Sequence, residues 1–204
     1  EPFFDAPFGE MRKIRGSLPG NLMTDMILTE DNPIRALVVI SGNPLLSMGS
    51  GSRLREAFSR LELVVVIDIY PSATAEYADY VLPATDMFER EDLNMCGLGM
   101  QAQPFVQYTD LIVPPKAERK PEWWILAKLE QAQGFDSILD AAELPNQMGR
   151  IDHMLRQSNT SISEIRAMPS QTNVLPAPDA GRFYSDWIQT ESGRVNCCPP
   201  LFAE

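Results

Sequence analysis

Two uninterrupted apolar runs constrain this chain more than any other feature. Arg35-Ala36-Leu37-Val38-Val39-Ile40-Ser41 is the first, and Leu61 to Ile69 is the second. A strand with one wet face alternates polar and apolar residues. A strand that is apolar and β-branched at nearly every position must be covered on both faces, which is the signature of a parallel sheet. Between the runs, Ser52 to Leu61 sets Leu54, Ala57, Phe58 and Leu61 on one face of a predicted helix. Strand, helix and strand in that order imply a βαβ unit with a right-handed crossover. A short predicted helix, Ala73 to Ala78, leads to a third strand-like run, Tyr80-Val81-Leu82-Pro83. The expected fold class is therefore α/β: an open, mostly parallel, doubly wound (Rossmann-like) sheet with helices on both faces. A helical and hairpin C-terminal extension follows it.

The flanking segments divide the chain further. Residues 1–20, rich in Pro, Gly and Phe, read as an irregular connection. Leu22, Met23, Met26 and Ile27 recur at helical spacing after Asn21 as a cap, and Asn32-Pro33 breaks that helix. Asn94 to Gln107 reads as a long loop, and Asp110 to Val113 as a short extended piece. Pro121 to Gln133 is a predicted helix stopped by Gly134, with Trp124, Ile125, Lys128 and Leu129 on its inner side. Trp123 and Trp124 read as structural, one packing inward while the other covers a loop. Two further helices are predicted at Gly149 to Gln157 and Ser161 to Met168, the second opening on a Ser161/Glu164 capping box. Pro176, Pro178 and Gly181 mark a linker, and Tyr184 to Gln189 with Gly193 to Cys197 read as a hairpin. The expected division is a dinucleotide-binding α/β domain over 21–148, a helical extension over 149–175, and a linker and hairpin over 176–204.

Charge and cysteine content remove several function classes. The net charge is -11 and no basic block interrupts it, so nucleic acid and anionic membrane are excluded as partners. No apolar run reaches the roughly 18 residues that a membrane span needs. Cys96, Cys197 and Cys198 form no C-x-x-C pair, and the single histidine, His153, stands apart from them. Three free thiols and no metal site within the chain are expected. His153, in a polar stretch, is expected on an exposed helix face. The first residue is Glu1 and no leader pattern follows, so the expectation is a fragment whose natural start lies upstream.

Candidate binding residues cluster where strands end. Ser41-Gly42-Asn43-Pro44 closes the first strand, at the sheet edge where open α/β folds hold ligands. Gly49-Ser50-Gly51 opens the following helix, although Leu54 stands where a third glycine would complete a dinucleotide fingerprint. The alternative is an ordinary βα turn shaped by Asn43. Asp68 ends the second strand and can accept hydrogen bonds from ribose hydroxyls; the alternative is a cap for residues 71–74. Pro83 ends pairing of the third strand and leaves Ala84 and Thr85 to line a crevice. Asp86, Glu89, Glu91 and Asp92 read as a solvated charged face. Glu122, at a helix start, is read either as a cap or as an acceptor for a purine edge, with the cap favoured.

Taken in order, these segments resemble one family. Leu37-Val38-Val39-Ile40-Ser41-Gly42-Asn43-Pro44, then Leu63 to Tyr70, then Thr74-Ala75-Glu76-Tyr77-Ala78-Asp79-Tyr80-Val81-Leu82-Pro83-Ala84-Thr85 and Glu89-Arg90-Glu91 resemble the molybdopterin oxidoreductases. That family includes formate dehydrogenases, nitrate reductases and dimethyl-sulfoxide reductases. Thr190 to Val195 resembles the approach to the family's C-terminal β-barrel. The resemblance implies a molybdopterin guanine dinucleotide carrying molybdenum or tungsten, held by one of two α/β domains. It places Gly42, Asn43, Pro44 and Ser47 along phosphates and sugar, Asp68 on ribose or guanine, Thr85 nearby, and Glu122 on guanine. Ile67 departs from the polar residue that many relatives carry before that acid. An iron–sulfur cluster and the metal-ligating residue are expected upstream, so the fragment alone is not expected to catalyse. The implied partners are the rest of the parent chain and an electron-transfer subunit or domain. A cytoplasmic setting is favoured over a periplasmic one. The rival readings are a cofactor-free relative in an iron–sulfur respiratory subunit, and an unrelated module for NAD or coenzyme A.

Overall fold

The computed structural model describes residues 3–6, 9–13, 16–49, 51–95, 101–141, 146–157, 159–177, 179, 181–188 and 190–198. The chain forms two compact units: Glu1–Arg90 with Leu111–Gln147, and Glu91–Asp110 with Met148–Glu204.

The first unit carries the parallel sheet. Strand β3 (Ala36–Ile40) pairs with β4 (Leu63–Asp68), and β4 pairs with β5 (Tyr80–Pro83), all parallel and in the order β3-β4-β5. Before them, β1 (Phe3–Ala6) and β2 (Gly9–Arg12) pair antiparallel, and α1 (Met23–Leu28) follows. Helix α2 (Pro44–Ser47) and helix α3 (Gly51–Arg60) connect β3 to β4. Helix α4 (Glu122–Ala132) completes the unit.

The second apolar run is continuous because β4 is covered on both sides, whereas β3 leaves Val38 and Ile40 exposed on one face. Val64 and Val66 pack with Val39 against Leu54 and Phe58 of α3. Val65 and Ile67 point the other way, where Ile125, Trp124 and Leu129 of α4 meet them with Leu82 and Ala84. Phe58 meets Tyr77 edge to face, ring centroids 6.1 Å apart. Burying a Leu, Ile or Phe side chain contributes about 1.5–3 kcal/mol, so these two layers hold the sheet between the helices. Asp79 closes the entry of the sheet: its N–H donates to the Val64 carbonyl (2.9 Å) and its carboxylate accepts from the Val64 N–H (2.8 Å).

The second unit holds a small antiparallel sheet. Strand β6 (Asp92–Leu93) pairs with β7 (Phe105–Thr109), which pairs with β8 (Thr172–Val174). Helices α5 (Gln147–Gln157) and α6 (Ile162–Ala167) supply Leu155 and Ile165 to a core with Leu93, Val106 and Tyr108. The Ser161 hydroxyl accepts from the Glu164 N–H at the start of α6 (3.2 Å).

Several expectations give way to the structure. Residues 1–20 are not wholly irregular: β1 and β2 form a hairpin, and Gly9 enters β2 at φ 126°, which glycine alone adopts freely. The loop expected over 94–107 contributes part of β7, because Val106 and Tyr108 alternate inward with period two. This places residues 91–110 with the C-terminal segments, whereas the expected boundary kept them in the α/β domain. The hairpin expected over 184–197 is not formed among the described residues. Phe183–Trp187 coils as one wide helical turn, tied by Arg182 and Asp186 four residues apart (2.7 Å). Trp187 and Val195 remain exposed, so paired strands there would have no apolar face to bury. Asp110 to Val113 is likewise not a strand.

No helix among the described residues is long and apolar enough to cross a membrane. Cys197 and Cys198 are exposed free thiols, His153 is exposed, and Cys96 lies outside the described residues.

Candidate functional site

The carboxyl ends of β3, β4 and β5 lie side by side. Register places Ile40 beside Ile67, and Asp68 beside Pro83. Two hydrogen bonds extend the sheet past those pairs: Ser41 N–H to the Ile67 carbonyl (2.9 Å), and Ala84 N–H to the Asp68 carbonyl (3.0 Å). Ser41, Asp68 and Ala84 therefore stand in a row. The segment before α4 then joins this edge. Lys120 N–H donates to the Pro83 carbonyl (3.1 Å), and Thr85 N–H donates to the Lys120 carbonyl (3.1 Å). That contact delivers Glu122 to the same end of the sheet.

Each expected site residue has a definite place. Asn43 turns inward: the buried Thr74 hydroxyl donates to its Oδ1 (2.8 Å) and accepts from the Leu45 N–H (3.3 Å). Its backbone carbonyl accepts from Leu46 N–H, Ser47 N–H and the Ser47 hydroxyl at 2.9–3.0 Å. Asn43 thus builds the turn into α2, with Pro44 at the first helical position. Ser47 spends its hydroxyl proton on that turn. The N–H groups of Gly42 and Asn43 carry no hydrogen bond among the described residues. A Cβ on Gly42 would meet only the Ile40 carbonyl at 3.6 Å and Val39 Cγ1 at 3.8 Å, ordinary contacts, and its φ is not positive. Nothing among the described residues requires glycine there. Ser50, in the expected Gly49-Ser50-Gly51 opening, lies outside the described residues.

Asp68 Oδ1 accepts from the N–H groups of Ile69 (2.7 Å) and Tyr70 (3.2 Å), so it ties down the turn just after β4 rather than residues 71–74. Its second oxygen has no partner among the described residues. Thr85 is 1% exposed, and its hydroxyl is buried with no hydrogen-bond partner. Thr85 therefore does not line an open crevice with its side chain. Glu122 does not cap α4, whose N-cap is Pro121 without a side-chain bond. Its Oε2 accepts from the Arg90 guanidinium, and its Oε1 accepts from the Ser41 hydroxyl (3.3 Å).

The acids after Thr85 are not one solvated face. Glu89 is 3% exposed and accepts from Arg119 Nη1 (2.6 Å) and the Lys116 N–H (3.3 Å). Asp86 accepts from the Phe88 and Glu89 N–H groups (2.7 and 3.2 Å). A buried carboxylate persists when it is paired and hydrogen-bonded, and here it pins the segment before α4 to the loop after β5. Ser41, Thr74, Arg90 and Arg119 also shape this edge. Ser41, Thr74 and Arg90 lie within the family-like segments, but nothing local marks their contacts. Among the described residues, no group of three His, Cys, Asp or Glu could hold a metal ion.

The comparisons with known proteins agree with this architecture. A probable oxidoreductase, YyaE of Bacillus subtilis, is 31% identical over 132 residues, covering 64% of this chain and 19% of that protein. The thiosulfate reductase molybdopterin-containing subunit PhsA of Salmonella typhimurium is 30% identical over 122 residues, covering 59% of this chain and 16% of that protein. Among solved structures, acetylene hydratase from Pelobacter acetylenicus superposes with a TM-score of 0.62 at 23% identity, over 80% of this chain and 22% of that one. The chain thus spans about a fifth of the length of these relatives. The molybdopterin oxidoreductase family model matches residues 10–132, which contain the whole parallel sheet, its carboxyl edge and α4, and the chain belongs to that family.

Proposed function

We propose that this chain is the dinucleotide-holding segment of a larger molybdenum or tungsten oxidoreductase, and that the carboxyl edge of its parallel sheet grips a molybdopterin guanine dinucleotide. One observation carries the reading: uncommitted donors and acceptors from separate elements gather at one end of the three adjacent strands. When bound, the group supplies two-electron redox chemistry at its metal, and the protein supplies binding and orientation. The Gly42 and Asn43 N–H groups and the Asn43 side-chain amide donate toward phosphate, whose oxygens only accept. The free oxygen of Asp68 accepts from ribose hydroxyls. Glu122 accepts from the donor edge of guanine, and Thr85 lies buried beneath the same edge. Pro44 and Ser47 hold the turn that aims Gly42 and Asn43. The metal ligand, any iron–sulfur cluster and the electron-transfer partner belong to other parts of the assembly in this reading. Support comes from the family match and from the thiosulfate reductase relative, which is by its name a molybdopterin-containing subunit.

The test uses Gly42→Ala in the full-length protein. Space for the methyl exists within the chain, and replacing a glycine at an ordinary φ is neutral or slightly stabilising, by about 0.4–1 kcal/mol. The melting temperature should hold, while guanine nucleotide released by acid and bound metal both fall against wild type. Wild-type protein with neither metal nor nucleotide would end the reading and favour a cofactor-free relative.

A further inference from the structure

We infer that Arg90 and Ser41 are positioning residues that fix the Glu122 carboxylate for reading a guanine edge; this rests on the dinucleotide reading above. The three side chains come from three places: the end of β3, the loop after β5, and the start of α4. Glu122 leaves its own helix uncapped and is held instead by two outside donors, one on each carboxylate oxygen. Glu122 and Arg90 have side chains 21% and 30% exposed, so a ligand can reach the pair while solvent screens it only in part. Ser41 occupies the left-handed region at φ 49°. A non-glycine residue there is strained, and the Ser41 N–H bond to Ile67 holds it in place. That strained conformation carries the hydroxyl that reaches Glu122.

The chemistry of the clasp suits one base. A carboxylate offers about four acceptor positions. Arg90 and Ser41 use one on each oxygen, which leaves one on each oxygen in a fixed plane. Guanine presents two adjacent donors, N1–H and the exocyclic amine, and can fill both. Hypoxanthine lacks the amine and fills one. Adenine turns an N1 lone pair toward the carboxylate and is repelled. The positive guanidinium also offsets the Glu122 charge beside a polyanionic ligand. Without Arg90 or Ser41 the carboxylate rotates freely, and the plane that distinguishes these bases is lost.

The experiment titrates the full-length protein, produced in a host that makes no pterin cofactor, with GMP, IMP and AMP. Wild type should bind GMP about tenfold or more tighter than IMP, as for a hydrogen bond to a charged group, and AMP most weakly. Arg90→Met and Ser41→Ala should bring the GMP/IMP ratio toward unity, and Arg90→Lys should recover part of it. A purely structural role would weaken all three nucleotides alike and leave the ratio unmoved. Ser41 is exposed, so Ser41→Ala decides the matter if Arg90→Met fails to fold. If wild type prefers GMP and the variants keep its ratio, the positioning role is overturned and the dinucleotide reading stands. If wild type binds none of the three, both fall.

Discussion

Replacing Thr85 with valine should make the protein more stable while leaving its proposed task intact. Thr85 is 1% exposed, and its hydroxyl has no hydrogen-bond partner among the described residues. A buried hydroxyl left unpaired costs about 1–3 kcal/mol, whereas an apolar group of the same shape carries no such penalty. Valine keeps the branched shape, so no cavity opens, and a buried methyl adds about 0.8 kcal/mol where it packs. Allowing for partial relaxation around the hydroxyl, the expected gain is about 1–2 kcal/mol. For a domain of this size that corresponds to a rise of about 2–8 °C in Tm. Urea unfolding followed by tryptophan fluorescence reads the right unit, because Trp123 and Trp124 sit on α4 in the same unit as Thr85. The midpoint should rise with an unchanged slope. In the full-length protein the same variant should retain guanine nucleotide as wild type does, since the hydroxyl is buried away from the open edge. A midpoint lowered by more than about 1 kcal/mol would refute the reasoning, because it would mean that the hydroxyl is already satisfied.

Two further perturbations test the surroundings. Arg119→Ala removes the charge that pairs with the buried Glu89 carboxylate; breaking a fully buried pair costs about 3–5 kcal/mol. Arg119 is itself 42% exposed, so about 1–3 kcal/mol is expected after screening, read as a lower urea midpoint. Asp152 is held below the usual aspartate value, first by the Ile162 N–H donating to it (2.7 Å); burial opposes this, and Arg156 lowers it further. A carboxyl with a depressed folded value stabilises above the ordinary value of 3.8, and that contribution disappears as pH falls through the lowered value. Asp152→Asn should therefore flatten the acid limb of midpoint against pH in the unit containing α5 and α6, and an unaltered limb would assign the sensitivity elsewhere.

What the sequence made legible was whatever a period or a run can encode. The two apolar runs identified β3 and β4; burial on both faces leaves no polar position along Val64 to Ile67, whereas Val38 and Ile40 of β3 stay exposed. Helix α3 was readable from Leu54, Ala57 and Phe58, all fully or nearly fully buried. Strand β7 escaped because its partners are remote: β8 lies at 172–174, and no local signal states that Phe105 will meet Val174. The C-terminal hairpin failed for the opposite reason, a local pattern without an apolar face to bury. At the site, the strand ends were legible, but the pairings across them were not. Glu122 at a helix start looks like a cap by position alone, and only tertiary structure brings Arg90 and Ser41 to it. Asn43 likewise looked ligand-facing, yet its carbonyl oxygen is committed to Thr74, so only its amide and backbone N–H groups remain.

In the proposed reading, local donors let a chain of net charge -11 hold an anionic dinucleotide. Electrostatic attraction by the whole surface is unavailable, so binding must come from local donors whose field acts within a few ångströms. Those donors, the Gly42 and Asn43 N–H groups, follow β3, whereas the acceptors Asp68 and Glu122 stand after β4 and at the start of α4. Phosphates need donors, while sugar hydroxyls and the guanine edge supply donors of their own. The proposed reading thereby sets the ligand's polarity: phosphate at the β3 turn, sugar and base toward the acids. Such a grip is indifferent to the reaction at the far end of the cofactor. On that reading the choice of substrate lies with residues outside this edge.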